Sequence, residues 1–194
     1  KSRPEPLIEF VLGWLKRSVP GGRSRVSFLA VDAGQFLFDK GRVTALLDFE
    51  LACLGDPAAD LAAYRTRDLS EPLGDIRAAY ARYFERSGDT IPTSVIDYHT
   101  IRFSLYTPMA VAPLVASPMP ALDLIQYLGW YWVYSRAPLE VMFHGMGLET
   151  EQLVAPDAVP TRESKAHDVL VGRLREASSG EDFAAYEIGA SLRI

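Results

Sequence analysis

The 194-residue sequence predicts an α+β, mostly helical protein: one β-hairpin set on a helical body. Three observations lead there. Two apolar runs, residues 26–38 and 42–49, flank Asp39-Lys40-Gly41, the pattern of two strands joined by a tight turn. Outside the hairpin, apolar residues recur at i, i+3, i+4 and i+7, the spacing of amphipathic helices. Carboxylates gather around the hairpin, with Asp32 inside the first run, Asp48 ending the second, and Asp56 and Asp60 following.

The first helix is expected over residues 4–18, where Leu7, Ile8, Phe10, Val11, Trp14 and Leu15 give the amphipathic pattern. Ser2 can cap it, Pro4 suits its first turn, and Pro20-Gly21-Gly22 ends it. After the hairpin, Asp56-Pro57 opens a helix from Ala58 to Tyr64, with Asp56 as N-cap. Ser70 caps the next, whose Ile76, Ala79, Tyr80, Tyr83 and Phe84 share a face and which Gly88 stops. Thr93 or Ser94 starts another that runs to Pro108. Residues 122–136 are apolar nearly all round, which predicts a buried core helix, and Pro138 starts or kinks its continuation to Met146. A proline-rich linker, residues 154–160, precedes polar helices at 163–178 and 181–191. The domain expectation is a body over residues 1–150 and a helical extension over 151–194.

Bulk properties narrow the function. A net charge of −5 and a pI near 5.2 speak against nucleic acid or an anionic membrane surface as partner. The single cysteine, Cys53, excludes an internal disulfide framework and fits a cytoplasmic protein, where it reads as a small buried hydrophobe. The most apolar stretch, residues 106–122, carries Pro108, Pro113, Pro118 and Pro120 and makes a poor membrane span. His99, His144 and His167 have no partners at metal-ligand spacing.

Carboxylates beside a hairpin suit Mg²⁺ held against a polyphosphate, because magnesium takes one or two carboxylates together with waters and phosphate oxygens. The run Gly41-Arg-Val-Thr-Ala-Leu-Leu-Asp48-Phe49-Glu50, then Leu54-Gly55-Asp56-Pro57, then Asp60-Leu61-Ala62, resembles the metal-binding strand and following helix of the aminoglycoside phosphotransferase and choline kinase family. The resemblance implies the C-terminal lobe of a protein-kinase-like fold, with the hairpin bearing the catalytic and metal loop. It implies Asp48 as Mg²⁺ ligand, with Asp56 and Asp60 as caps and braces. Upstream the family writes His-x-Asp, a short loop and Asn; this chain reads Ala30-Val31-Asp32-Ala33-Gly34-Gln35. Aligned on the acid, Asp32 is the catalytic base, Ala30 replaces the histidine, and Gln35 takes the metal-binding Asn slot on a loop two residues shorter. Aligned on the hairpin, Gln35 keeps its slot and Ala30 falls where the base belongs; the first register is preferred, because a loop deletion costs less than losing the base.

By resemblance, the expected activity is ATP- and Mg²⁺-dependent transfer of a phosphoryl group to a hydroxylated small molecule, with ATP held by Gln35 and Asp48. The alternative is a non-catalytic, pseudokinase-like binding or regulatory module. Ala30 and the short loop favour it, as does the absence here of the glycine-rich loop and strand-borne lysine of a nucleotide lobe. A separate or missing N-terminal lobe, or a homodimer, is the expected partner for the face that such a lobe would cover. Asp97, Asp123 and Glu140 could hold a cationic substrate, or simply form a solvated face.

Overall fold

The computed structural model describes residues 5–119, 122–149, 157, 159–180 and 188. Helix α1 spans Pro6–Arg17, with proline in its first turn, where a missing N–H costs nothing. The expected Ser2 and Pro4 lie outside the described residues. Val11 and Leu15 of α1 are buried against Ile101, Leu105, Val141 and Met142, the largest part of the core. Fully burying side chains of this size contributes roughly 1.5–3 kcal/mol each.

The expected strand over residues 26–38 is two strands. β1 (Ser27–Leu29) pairs antiparallel with β4 (Cys53–Gly55), while β2 (Phe36–Asp39) pairs with β3 (Arg42–Leu46). The break falls at Val31, whose φ of 66° turns the chain out of the extended region. A turn closed by the Gln35 N–H donating to the Asp32 carbonyl (3.1 Å) follows it. The expected tight turn is present: Lys40 and Gly41 both have positive φ, 46° and 75°, which matches the right-handed twist of the flanking strands. A bulge between Leu37 and Phe38 interrupts the ladder. Cys53, expected to be buried, is exposed on β4.

Helix α2 (Ala58–Arg67) buries Ala58, Ala59, Ala62 and Ala63. These small side chains let Ile91, Val95 and Ile96 close on it, the last two from α4 (Thr93–Ser104). Asp56 caps α2 as expected, its carboxylate accepting from the Ala58 N–H at 3.0 Å. Between them, α3 (Ile76–Ser87) is capped by Asp75, not Ser70, and ended by Gly88 in the left-handed region. Ser70 instead meets the Tyr134 hydroxyl at 2.9 Å.

Pro108 does not end the helical structure. A break at Leu105 separates α4 from α5 (Tyr106–Ala116), and Pro108 lies in the first turn of α5, with Pro113 tolerated further along. Helix α6 (Leu124–Gly145) runs unbroken through Pro138, with Asp123 capping it. The expectation of a core helix fails for its first half: Ile125, Trp130, Trp132 and Val133 are exposed, Trp132 by 66%. Burial begins at Tyr134. Helix α7 (Ser164–Ala177) follows the expected bounds and buries none of its residues. The second tail helix falls outside the described residues apart from 188. Among the described residues, no helix is long and apolar enough to cross a membrane.

Candidate active site

The loop between β1 and β2 is shaped from α2. The Asp60 carboxylate accepts from the backbone N–H of Val31 at 2.8 Å and of Ala30 at 3.3 Å. A β-branched residue in the left-handed region is costly, and it persists where its surroundings over-determine it. The two bonds from Asp60 supply that, helped by the burial of Val31 with Leu29 and Ala59. Burial pushes the Asp60 carboxyl above its ordinary range, against the pull of those two backbone bonds.

With the backbone turned at Val31, the Asp32 side chain meets two partners. Arg67 reaches it with a two-pronged fork, Nε donating to Oδ1 at 3.3 Å and Nη2 donating to Oδ2. Gln35 donates from Nε2 to the same Oδ2 at 3.0 Å, and the same nitrogen donates to Oδ2 of Asp48. Burial works against the Arg67 charge, yet the hydrogen bond and the charge of Asp32 outweigh it, and its pKa rises. Asp48 is itself held in the left-handed region, at φ 58° and ψ 65°, where the chain leaves the hairpin for a 3₁₀ turn at Phe49–Leu51. The Leu47 N–H donates to the Gln35 carbonyl at 3.0 Å and ties the two segments together.

Asp32, Gln35 and Asp48 therefore come together through one amide nitrogen, while Ala30 is buried with its N–H turned to Asp60. In this arrangement the Gln35 amide turns its NH₂ group to both carboxylates, bridging them as a hydrogen-bond donor. Among the described residues, no group of three or more His, Cys, Asp or Glu could hold a metal.

Arg67 is the residue that sequence reasoning missed. Its signal was present: Arg67 follows Asp60 by seven residues, so both lie on one face of α2. Gly34 completes the fit, because a Cβ there would sit 2.6 Å from Cγ of Arg67. The other acidic candidates are already engaged. Asp97 accepts from Arg65 at 2.6 Å, Glu140 from Arg136 at 2.5 Å, and Asp123 caps α6. Asp56 joins Asp89 in a part-buried cluster around Arg23, whose fork lies 2.8 and 2.9 Å from Asp56.

The site thus joins a loop acid that follows a left-handed residue, an amide and a left-handed carboxylate at the end of the hairpin. The model of the phosphotransferase enzyme family (APH) matches residues 2–102, just over half of the chain, and the chain belongs to that family. The matched span includes Asp32, Gln35, Asp48, Asp60 and Arg67. Comparisons with curated proteins and with solved structures gave no match.

Proposed function

We propose that this chain carries the acceptor-side machinery of an ATP- and Mg²⁺-dependent O-phosphotransferase acting on a hydroxylated small molecule. In this reading it is the C-terminal lobe of a protein-kinase-like fold. The observation that carries the proposal is the convergence of Asp32, Gln35 and Asp48 on one point at the mouth of the hairpin. Asp32 accepts the proton of the acceptor hydroxyl as its oxygen bonds the γ-phosphorus and the bond from that phosphorus to the β–γ bridging oxygen breaks, releasing ADP. A positioned base of this kind contributes roughly 10²–10⁴-fold to the rate. Asp48, and Gln35 with its amide turned to present the oxygen in place of the NH₂ group, would hold magnesium against the phosphates of ATP. When bound, the ion neutralises charge on the phosphate oxygens, the main electrostatic demand of phosphoryl transfer. Phe28, Phe38, Val43 and Leu54 are exposed apolar side chains on the two sheets, and in this reading a nucleotide lobe would cover them.

A second reading, a non-catalytic binding module, is favoured by the Arg67 fork, which engages both oxygens of Asp32. Titration calorimetry with ATP, with and without Mg²⁺, tests the first reading, followed by ATP turnover with a panel of hydroxylated acceptors. Asp48→Asn is expected to abolish Mg²⁺-dependent nucleotide binding. Unchanged affinity in that variant would remove Asp48 from the metal site. Binding without turnover on any acceptor would favour the module.

A further inference from the structure

We infer that Arg67 is the positioning residue for Asp32, and that α2 performs, through Asp60 and Arg67, the orienting task for which the loop has no histidine at position 30. This rests on the phosphotransferase reading for its catalytic consequence, though its structural core does not. Asp60 and Arg67 are seven residues apart, about 20° short of two full helical turns, and are separated by roughly 10 Å of rigid helix. They therefore hold the short stretch Ala30–Asp32 at two points. Asp60 takes the backbone N–H groups of Ala30 and Val31, and Arg67 takes the side chain of Asp32.

The two grips do different things. The Asp60 bonds hold Val31 in its left-handed conformation, which sets the direction in which Asp32 leaves the backbone. The Arg67 fork then sets the rotation of the carboxylate, since two roughly parallel N–H donors define a plane and a single ammonium does not. Gln35 adds a third contact from within the loop. The loop admits this arrangement only without a side chain at position 34, because the Arg67 stem crosses Gly34, where a Cβ would also lie 3.0 Å from Cβ of Arg67. With two residues fewer than the family pattern, the loop has little slack for an orienting side chain of its own. The rigid helix beside it supplies one.

The test compares Arg67→Ala with Arg65→Ala, a second arginine of α2 that pairs elsewhere, with Asp97. Amide hydrogen exchange is read over residues 30–35 alongside kcat and KM for ATP and acceptor. Arg67→Ala is expected to speed exchange at the Gln35 amide severalfold, while α1 and α4 keep their protection. It is expected to lower kcat by about 10-fold or more at little-changed KM for ATP. Added guanidinium ion should restore part of that loss, and Arg67→Lys should fall between the two. Arg65→Ala should leave loop exchange and guanidinium response as in the wild type.

Wild-type exchange and wild-type kcat in Arg67→Ala would overturn the inference. A rise in turnover would also overturn it, because Arg67 would then restrain Asp32 instead of serving it. If the wild-type protein turns over no acceptor but Arg67→Ala still loosens the loop, the positioning role stands and the phosphotransferase reading falls. Should Arg67→Ala fail to fold, Arg67→Lys, which keeps the stem and the charge, gives the same comparison of exchange and kcat.

Discussion

Adding a single methyl group at Gly34 tests whether the loop is built around Arg67. In Gly34→Ala the new Cβ would stand 2.6 Å from Cγ and 3.0 Å from Cβ of Arg67, both near the root of the side chain. Atoms that close to the helix backbone cannot swing away as a chain end does, so either α2 or the loop must move by about 1 Å to restore carbon–carbon contact near 3.5–4.0 Å. Overpacking of this kind costs about 1–3 kcal/mol. A shift of that size also stretches the Nε–Oδ1 contact from 3.3 Å beyond hydrogen-bonding range. Losing a charge-assisted bond at a part-exposed site adds about 1 kcal/mol, toward the low end of its range because solvent screens the pair. The total of about 2–4 kcal/mol lowers Tm by roughly 5–15 °C in a chain of this size. Gly21→Ala is the matched control, since nothing lies within 4 Å of a Cβ there. Urea unfolding followed by circular dichroism reads both variants. If Gly34→Ala costs no more than Gly21→Ala, the close approach of Arg67 to the loop is wrong, and the account of how Asp32 is held goes with it.

Two further expectations follow from backbone and charge. Asp48 holds a left-handed conformation that glycine adopts freely, so Asp48→Gly should be neutral or stabilising by up to about 1 kcal/mol. The same variant should lose Mg²⁺-dependent nucleotide binding, and a loss of stability in urea would show that the Asp48 side chain braces the fold. Arg23→Ala, which strips the cation from Asp56 and Asp89, should destabilise by about 2–3 kcal/mol, between the ranges for exposed and buried pairs. The hydrogen bond from Arg23 holds the Asp56 carboxyl below its ordinary range, outweighing its burial. Its stabilising contribution is therefore complete above the unfolded carboxyl value near 4 and disappears as the pH falls through the depressed folded value. The stability gap between wild type and Arg23→Ala should accordingly shrink on acidification below pH 4. A gap that stays constant would remove Arg23–Asp56 as its source.

Local chemistry made some of this legible in the sequence. Asp39-Lys40-Gly41 announces its turn because positive φ at two successive positions demands such residues, and Gly88 marks the end of α3 for the same reason. Asp32 and Asp48 stood out because carboxylates around a hairpin survive in the linear order, and Gln35 through the resemblance to the phosphotransferase motif. The split of the first strand was not legible. Residues 26–31 read as continuous extended chain, and Val31 is a poor local candidate for a left-handed turn. What bends it is Asp60, about 30 residues further on, and the β1–β4 pairing is as remote. Helix α5 was hidden by its prolines, one of which sits harmlessly in the first turn. The apolar character of α6 carried no record of which half of the helix has neighbours. Arg67 was missed because the recognisable motif ends at Asp60-Leu61-Ala62, while Arg67 shares the face of Asp60 only two helical turns further on.

The exposed Cys53 on β4 bears on how this protein behaves in the laboratory. It is the chain's only thiol, so one maleimide dye attaches at one place, within three residues of the 3₁₀ turn that follows Asp48. Oxidation is equally constrained by arithmetic. A molecule with one sulfhydryl can be cross-linked once, so covalent self-linkage stops at pairs, and a ladder of larger species on a non-reducing gel has another cause. Such a pair would also imitate a native dimer in light scattering, which makes a reductant part of any measurement of assembly.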